Sequence, residues 1–285
     1  MKKEINKTIK VGEINTLEIA RDTDFGFYLV AEDKSEVLLP NAYIVEEEMP
    51  LGSAIDVFVY TDSEDRLVAV TKEPYAKLNE LGYFTVVDSS KHGAFVNWGL
   101  PKDLFVPKSA QKEPLKVGKK YILRVCLDDK TNRVYATQKI GKYFSKDTKK
   151  LKPKARLKAI VVAKTPLGFK VVADNKYEGM LFKNEIFKEL KIGQKIDVYI
   201  KSIRDDGKLD LSLNAIGKEQ KRDEAQEAIL KELKKSKTLP FTSKSNPEDI
   251  KKRFGLSKKS FKAALNSLIE SKRVEIVDSE IRLAK

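Results

Sequence analysis

Three glycines at one recurring place in a strand-like phrase constrain this chain more than any other feature. Phe25-Gly26-Phe27-Tyr28-Leu29 returns as His92-Gly93-Ala94-Phe95-Val96 and again as Leu167-Gly168-Phe169-Lys170-Val171. An apolar strand follows each one, at Val37 to Pro40, Leu104 to Pro107 and Gly179 to Phe182. A second glycine then introduces an alternating strand: Gly52 before Ile55 to Tyr60, Gly118 before Tyr121 to Cys126, Gly193 before Ile196 to Lys201. A polar turn and a last strand close each unit, at Leu67 to Val70, Val134 to Thr137 and Leu209 to Ser212. The first glycine steps from 26 to 93 to 168 and the second from 52 to 118 to 193, so two independent landmarks keep pace. That is triplication of a unit long enough to be a small domain. A glycine inside a strand marks a bulge or the close approach of another backbone.

Five short strands with a long third-to-fourth connection predict a small Greek-key barrel of the OB type. The order of a Phe-Gly-aromatic strand, an apolar strand, a Gly-x-x-apolar strand, a polar turn and a closing strand resembles the S-one RNA-binding repeat. That resemblance covers residues 11–75, 81–144 and 154–217. The phrase from Trp98 to Pro107, and Phe254-Gly255-Leu256-Ser257-Lys258-Lys259-Ser260-Phe261-Lys262 far downstream, are similar to segments of the conserved virulence factor B (CvfB) family. Members of that family carry S-one-like units followed by a winged helix. The expected architecture is multidomain and mainly β: OB-type barrels at 1–75, 76–150 and 151–217, then an α+β winged-helix domain at 218–285.

The last segment reads as a winged helix on its own terms. Arg222 to Ser236 places Ala225, Ile229 and Leu233 on one helical face. Asn246-Pro247-Glu248-Asp249 combines a cap residue, a proline at the first helical position and acids in the first turn. That helix should end near Gly255. After Ser257, Phe261, Ala264, Leu265, Leu268 and Ile269 keep helical spacing. Val274 to Val277 and Ile281 to Leu283, separated by Asp278-Ser279-Glu280, predict a terminal hairpin.

Charge points to the kind of partner. The net charge of +14 favours a polyanion. Residues 1–75, however, carry 8 basic against 16 acidic side chains, including the run Glu46-Glu47-Glu48. Residues 76–150 carry 16 against 7, residues 151–217 carry 14 against 8, and residues 218–285 carry 18 against 11. The basic character therefore belongs to the last three quarters, with Lys142 to Lys154 as a lysine-rich linker. One cysteine, Cys126, excludes an internal disulfide and fits a reducing compartment. With no long apolar run and no secretory h-region at the start, the expectation is a cytoplasmic protein.

Stacking aromatics among cations suit single-stranded nucleic acid, because every base has a π-face. In the second unit His92, Phe95 and Trp98 are placed to supply the platform, and Lys91, Lys102, Lys108 and Arg133 to track phosphates. Phe27, Phe105 and Phe169 are expected in the cores. The family resemblance implies exposed positions at Phe25 and Tyr28, His92 and Phe95, and Leu167 and Lys170. It also implies RNA-holding pairs at Asp62 and Arg66 and at Asp129 and Arg133. The third unit departs, with Arg204 and Lys208 at the pair and Phe182 where the family often has histidine. Lys258, Lys259 and Lys262 would meet a nucleic-acid backbone at the start of the last helix.

His92 is the only histidine and the glycines are scattered singly, so no metal cluster, catalytic triad or phosphate loop is expected. The reading is a non-enzymatic, cofactor-free RNA-binding protein, and the resemblance implies post-transcriptional control, including control of virulence genes. The alternatives are a winged-helix regulator on duplex DNA and a protein-interaction scaffold, for instance on the ribosome. The acidic first unit is expected to add little RNA affinity and to face a basic partner instead.

Overall fold

In a computed structural model, described over residues 4–44, 49–186, 189–215, 218–236, 238–277 and 280–284, the three repeats become three five-stranded units. The first is a closed barrel of β1 (Ile14–Thr23), β2 (Gly26–Val30), β3 (Glu36–Pro40), β4 (Ala54–Thr61) and β5 (Leu67–Val70). Its strand order is 1-2-3-5-4, with β3 and β5 parallel and the other pairs antiparallel. The second comprises β6 (Leu81–Ser90), β7 (Gly93–Asn97), β8 (Leu104–Pro107), β9 (Lys120–Leu127) and β10 (Val134–Thr137). Its order is the same, but it is an open sheet: β8 and β10 lie side by side without a ladder among the described residues. The third closes again, through β11 (Arg156–Thr165), β12 (Gly168–Ala173), β13 (Tyr177–Phe182), β14 (Lys195–Ile203) and β15 (Leu209–Ser212).

The repeated glycines are needed where the second strand of each unit crosses the third. A side chain at Gly26, Gly93 or Gly168 would collide with the carbonyl oxygen of Leu39, Val106 or Leu181 respectively. Gly26 and Gly168 also hold φ of +134° and +148°, which L side chains rarely adopt. The residue just before each glycine is thereby fixed at the mouth of its barrel. Its carbonyl accepts from the amide that starts a short 3-10 turn: Asn41 to Phe25 at 3.1 Å, Lys108 to His92 at 2.9 Å and Lys183 to Leu167 at 2.9 Å.

After the barrels, α1 (Lys218–Ser236), α2 (Pro247–Phe254) and α3 (Lys258–Glu270) pack on a sheet of β16 (Thr238–Leu239), β17 (Val274–Val277) and β18 (Glu280–Leu283). Ala225, Ile229 and Leu233 are buried with Phe261, Ala264, Leu265 and Leu268, as their spacing predicts. The first helix starts at Lys218, earlier than Arg222, and β16 adds a strand to the expected hairpin. Both the Glu46-Glu47-Glu48 run and the Asp278-Ser279 turn lie outside the described residues. Cys126 is buried, and burial pushes its thiol pKa up. Among the described residues no helix is long and apolar enough to cross a membrane.

The chain forms two compact units, residues 1–145 with 160–163 and 190–195, and the remainder from 146 onward. In the first, β4 is buried on both faces. Val57 and Val59 fill the first barrel's own core, whereas Phe58 and Tyr60 join Val68 and Val70 in a second cluster. That cluster continues into the second barrel through Trp98, Leu100, Phe84, Val96 and Leu123. In the second unit, Arg156 of β11 bridges Asp197 of β14 at 3.1 Å and Glu227 of α1 at 3.2 Å. The Tyr199 hydroxyl donates to Glu224 of the same helix.

Candidate nucleic-acid interface

Strand alternation and a cross-strand pair create an aromatic face on the second barrel. Phe95 of β7 stands opposite Phe105 of β8, their half-buried rings 5.1 Å apart and tilted by 42°. His92, exposed, precedes Gly93 at the mouth. These side chains line a groove of about 610 Å³, with Tyr135 of β10 and Arg133 just before it, and Tyr60 and Asp65 from the first barrel. Burial pushes the Tyr60 hydroxyl pKa up to about 12, so it stays a neutral donor and acceptor. Phe105 is thus not the core residue expected from sequence. It shares the half-exposed sheet face with Phe95, and only the strand register reveals that.

Trp98 is a correction. It is 2% exposed and offers no face to a base. Its ring packs edge-on against Phe58 at 5.6 Å and Tyr60 at 5.9 Å, and its indole nitrogen donates to the Lys102 carbonyl at 2.6 Å. The physical reason is the period of two: along a strand, Phe95 and Asn97 share one side and Trp98 takes the other. Lys102 is a second correction, because its ammonium donates to the Thr61 carbonyl at 3.0 Å and the Asp62 carbonyl at 2.5 Å. Burial lowers its pKa, and it pins the first barrel's β4–β5 turn instead of tracking phosphate.

The acid–base pairs need one change of residue. In the first barrel the Asp62 amide donates to the Arg66 carbonyl at 2.9 Å. In the second barrel it is Asp128, not Asp129, whose amide donates to Arg133, also at 2.9 Å. The second turn is one residue longer, and the residue before its arginine, Asn132, has φ +55°, as Asp65 before Arg66 has φ +65°. The Thr131 amide and hydroxyl hold the Asp128 carboxyl below its ordinary pKa, so it caps the turn, while Asp129 is exposed. Arg133 pairs with Asp65 of the first barrel. Arg204 and Lys208 occupy the equivalent positions in the third barrel, as expected, with a 2.9 Å bond between their backbones.

The first barrel presents its implied residues, of which Tyr28 and Arg66 are already engaged. Phe25 is 75% exposed. Tyr28 is half-buried beneath the Arg21 guanidinium, which lies 4.0 Å from the ring centroid and grips Glu36 with two bonds of 2.7 and 2.8 Å. Arg66 is held by Asp62 at 2.9 Å and by Glu64 at 3.1 Å. Burial raises the Asp62 pKa, but bonds from Arg66 and the turn amides outweigh it and hold the group low. Sequence reasoning missed the Arg21–Glu36 clamp, since a bulge between Ile19 and Arg21 sets which residue faces Tyr28.

On the third barrel, Leu167 is 66% exposed and Lys170 pairs with Glu178 at 2.9 Å. Phe182 is half-buried, with Arg204 5.9 Å from its ring centroid. Arg204 also bonds Asp210 at 2.8 Å, and Lys208 pairs with Asp206 at 3.0 Å, so this face is largely self-neutralised. At the start of α3, Lys259 and Lys262 are exposed. Lys258 is partly covered, its ammonium 3.4 Å from the Lys244 carbonyl.

Comparison with known proteins places these elements. Residues 11–72 match the S1 domain model, and residues 227–283 match the CvfB-like winged helix domain model. Over nearly the whole chain there is similarity to YitL of Bacillus subtilis (strain 168), described as uncharacterized, at 28% identity across 94% of this chain and 91% of that one. Conserved virulence factor B of Staphylococcus haemolyticus (strain JCSC1435) is 25% identical across 96% and 95%, and that of Staphylococcus aureus (strain USA300) 25% across 96% and 94%. Among solved structures, a multidomain protein with nucleic acid binding domains from Streptococcus pneumoniae TIGR4 aligns over 96% of this chain and 98% of its own. Its TM-score is 0.41 at 23% identity.

Proposed function

We propose that this chain, a relative of conserved virulence factor B carrying an S1 domain and a CvfB-like winged helix, binds single-stranded RNA chiefly through its second barrel. The observation that carries this reading is the Phe95–Phe105 pair beside His92, half-open to a groove in the segment with the largest basic excess. Bases stack on such rings for about 1–3 kcal/mol each, while lysines such as Lys91 and Lys108 neutralise the backbone. The role is binding rather than catalysis. The relatives' name, conserved virulence factor B, supports a virulence-associated role, which this reading assigns to control of gene expression.

The test is a fluorescence titration of labelled single-stranded RNA, single-stranded DNA and duplex DNA across a salt series. Single-stranded RNA is expected to bind best, with log affinity falling by about 0.7 per phosphate contact for each unit of log salt. Phe95→Ala should weaken that binding by about 1–3 kcal/mol with the melting temperature nearly unchanged. A flat salt response together with an unaffected Phe95→Ala variant would overturn the reading. The exposed Lys259 and Lys262 on α3 favour a second reading, contact with a duplex backbone by the winged helix. Tightest binding to duplex DNA, lost in a Lys259→Ala/Lys262→Ala variant, would select it.

A further inference from the structure

The first barrel repeats the geometry of the second barrel's face with the sign of its charge reversed. Phe25 and Asp24 are the two loop residues of the β1–β2 hairpin, closed by Thr23 opposite Gly26. Among the described residues Phe25 is the most exposed large hydrophobic. Asp22 and Asp24 are exposed beside it, and neither carboxylate has an ion pair among the described residues. The two arginines of residues 1–75 are both occupied, Arg21 by Glu36 and Arg66 by Asp62 and Glu64. An approaching phosphate therefore finds surplus carboxylate and no available guanidinium.

The same barrel shows within itself what such a surface can hold. Tyr28 carries a guanidinium 4.0 Å from its centroid while Glu36 grips that group through both oxygens. One aromatic ring plus one carboxylate is the general recognition pattern for arginine, whose flat cation both stacks and forks. Three residues away, Phe25 with Asp22 and Asp24 offers the same chemistry with the guanidinium missing.

We propose that the aromatic face of the first barrel docks an arginine-rich segment of a partner protein, with Phe25 stacking a guanidinium and Asp22 and Asp24 accepting its hydrogen bonds. The net −8 of residues 1–75, against +14 for the whole chain, confines this complementarity to the first barrel. Lysine fits less well, having no plane to stack and no fork to match a carboxylate.

The experiment titrates a fluorescein-labelled (Arg-Gly-Gly)4 peptide and its lysine counterpart with the full chain, Phe25→Ala, and Asp22→Asn/Asp24→Asn. All these positions are exposed, and circular dichroism checks that each variant is folded. The expected result is saturable binding of the arginine peptide, weakened roughly threefold to fivefold or more by either variant and weaker for the lysine peptide. RNA affinity should be unchanged in Phe25→Ala. Absence of peptide binding, or peptide binding indifferent to both variants, would overturn the proposal. So would a Phe25→Ala variant that loses RNA affinity, which makes this face an RNA site. Phe95→Ala in the same titrations tests the RNA reading separately, so either idea can fail alone.

Discussion

At the scale of single residues, Asp65 has the clearest energetic role. Its carboxylate occupies the Arg133 guanidinium on the candidate RNA face, where a phosphate would otherwise sit. Both side chains are about half exposed, so the pair is a modest competitor. Asp65→Asn should raise single-stranded RNA affinity roughly twofold to fivefold, and the gain should vanish in an Arg133→Ala background. Asparagine is the appropriate replacement because residue 65 holds φ +65°, a conformation asparagine tolerates. A double-mutant cycle of RNA affinities measures the coupling. Sequence made some residues legible and hid others for physical reasons. The glycine triplet was legible because backbone crossing leaves no room for a side chain. Trp98 was misjudged by proximity to Phe95, although strand alternation already put it on the opposite side. Asp128 and Asp129 could be told apart only by the turn's hydrogen bonds, since a one-residue insertion shifts numbering without changing composition.

At the scale of elements, local signals were strongest where a single helix end contains the whole interaction. The Asn246 side chain accepts from the Glu248 amide at 2.9 Å, and Gly255, with φ +69°, donates its amide to the Lys251 carbonyl at 2.9 Å. Both ends of α2 were therefore readable. Asn246→Ala should cost about 1 kcal/mol, seen as a lower melting temperature for the winged-helix transition in calorimetry, with RNA binding by the second barrel unchanged. By contrast, β16 has two residues, too few to show a period, and forms only because β18 offers an edge. The opening of the second sheet between β8 and β10 was equally invisible, since all three repeats share one strand pattern. The stretch Val57 to Tyr60 did carry a signal: four apolar residues in a row mark a strand covered on both faces. Trp98, whose ring covers Phe58 and Tyr60 on that second face, lies about forty residues onward, beyond the reach of any local pattern.

At the scale of the molecule, the first two barrels share one core, in which Phe58, Tyr60, Val68 and Val70 pack with Trp98 and the second sheet. Cutting the chain between the barrels bares that core on both pieces. A 1–145 fragment should unfold in a single transition with coincident far-UV and near-UV signals, whereas 76–145 alone should fail to give a cooperative melt. Separate transitions within 1–145 would show the shared cluster to be weak. The barrels were legible from the repeat, but their fusion was not, because a repeat describes units and not what lies between them. The winged helix is tied to the third barrel by different means, the Arg156, Glu227 and Tyr199, Glu224 contacts, which are polar and partly exposed. Trp98 gives the fused body an optical handle. It is the chain's sole tryptophan, sealed at the seam between two barrels, so its emission belongs to that seam alone. Blue emission means the barrels are joined and a red shift means water has entered between them. An RNA strand lying on Phe95 would leave the colour unchanged, so the protein reports by its own light whether a ligand merely occupies the surface or prises the barrels apart.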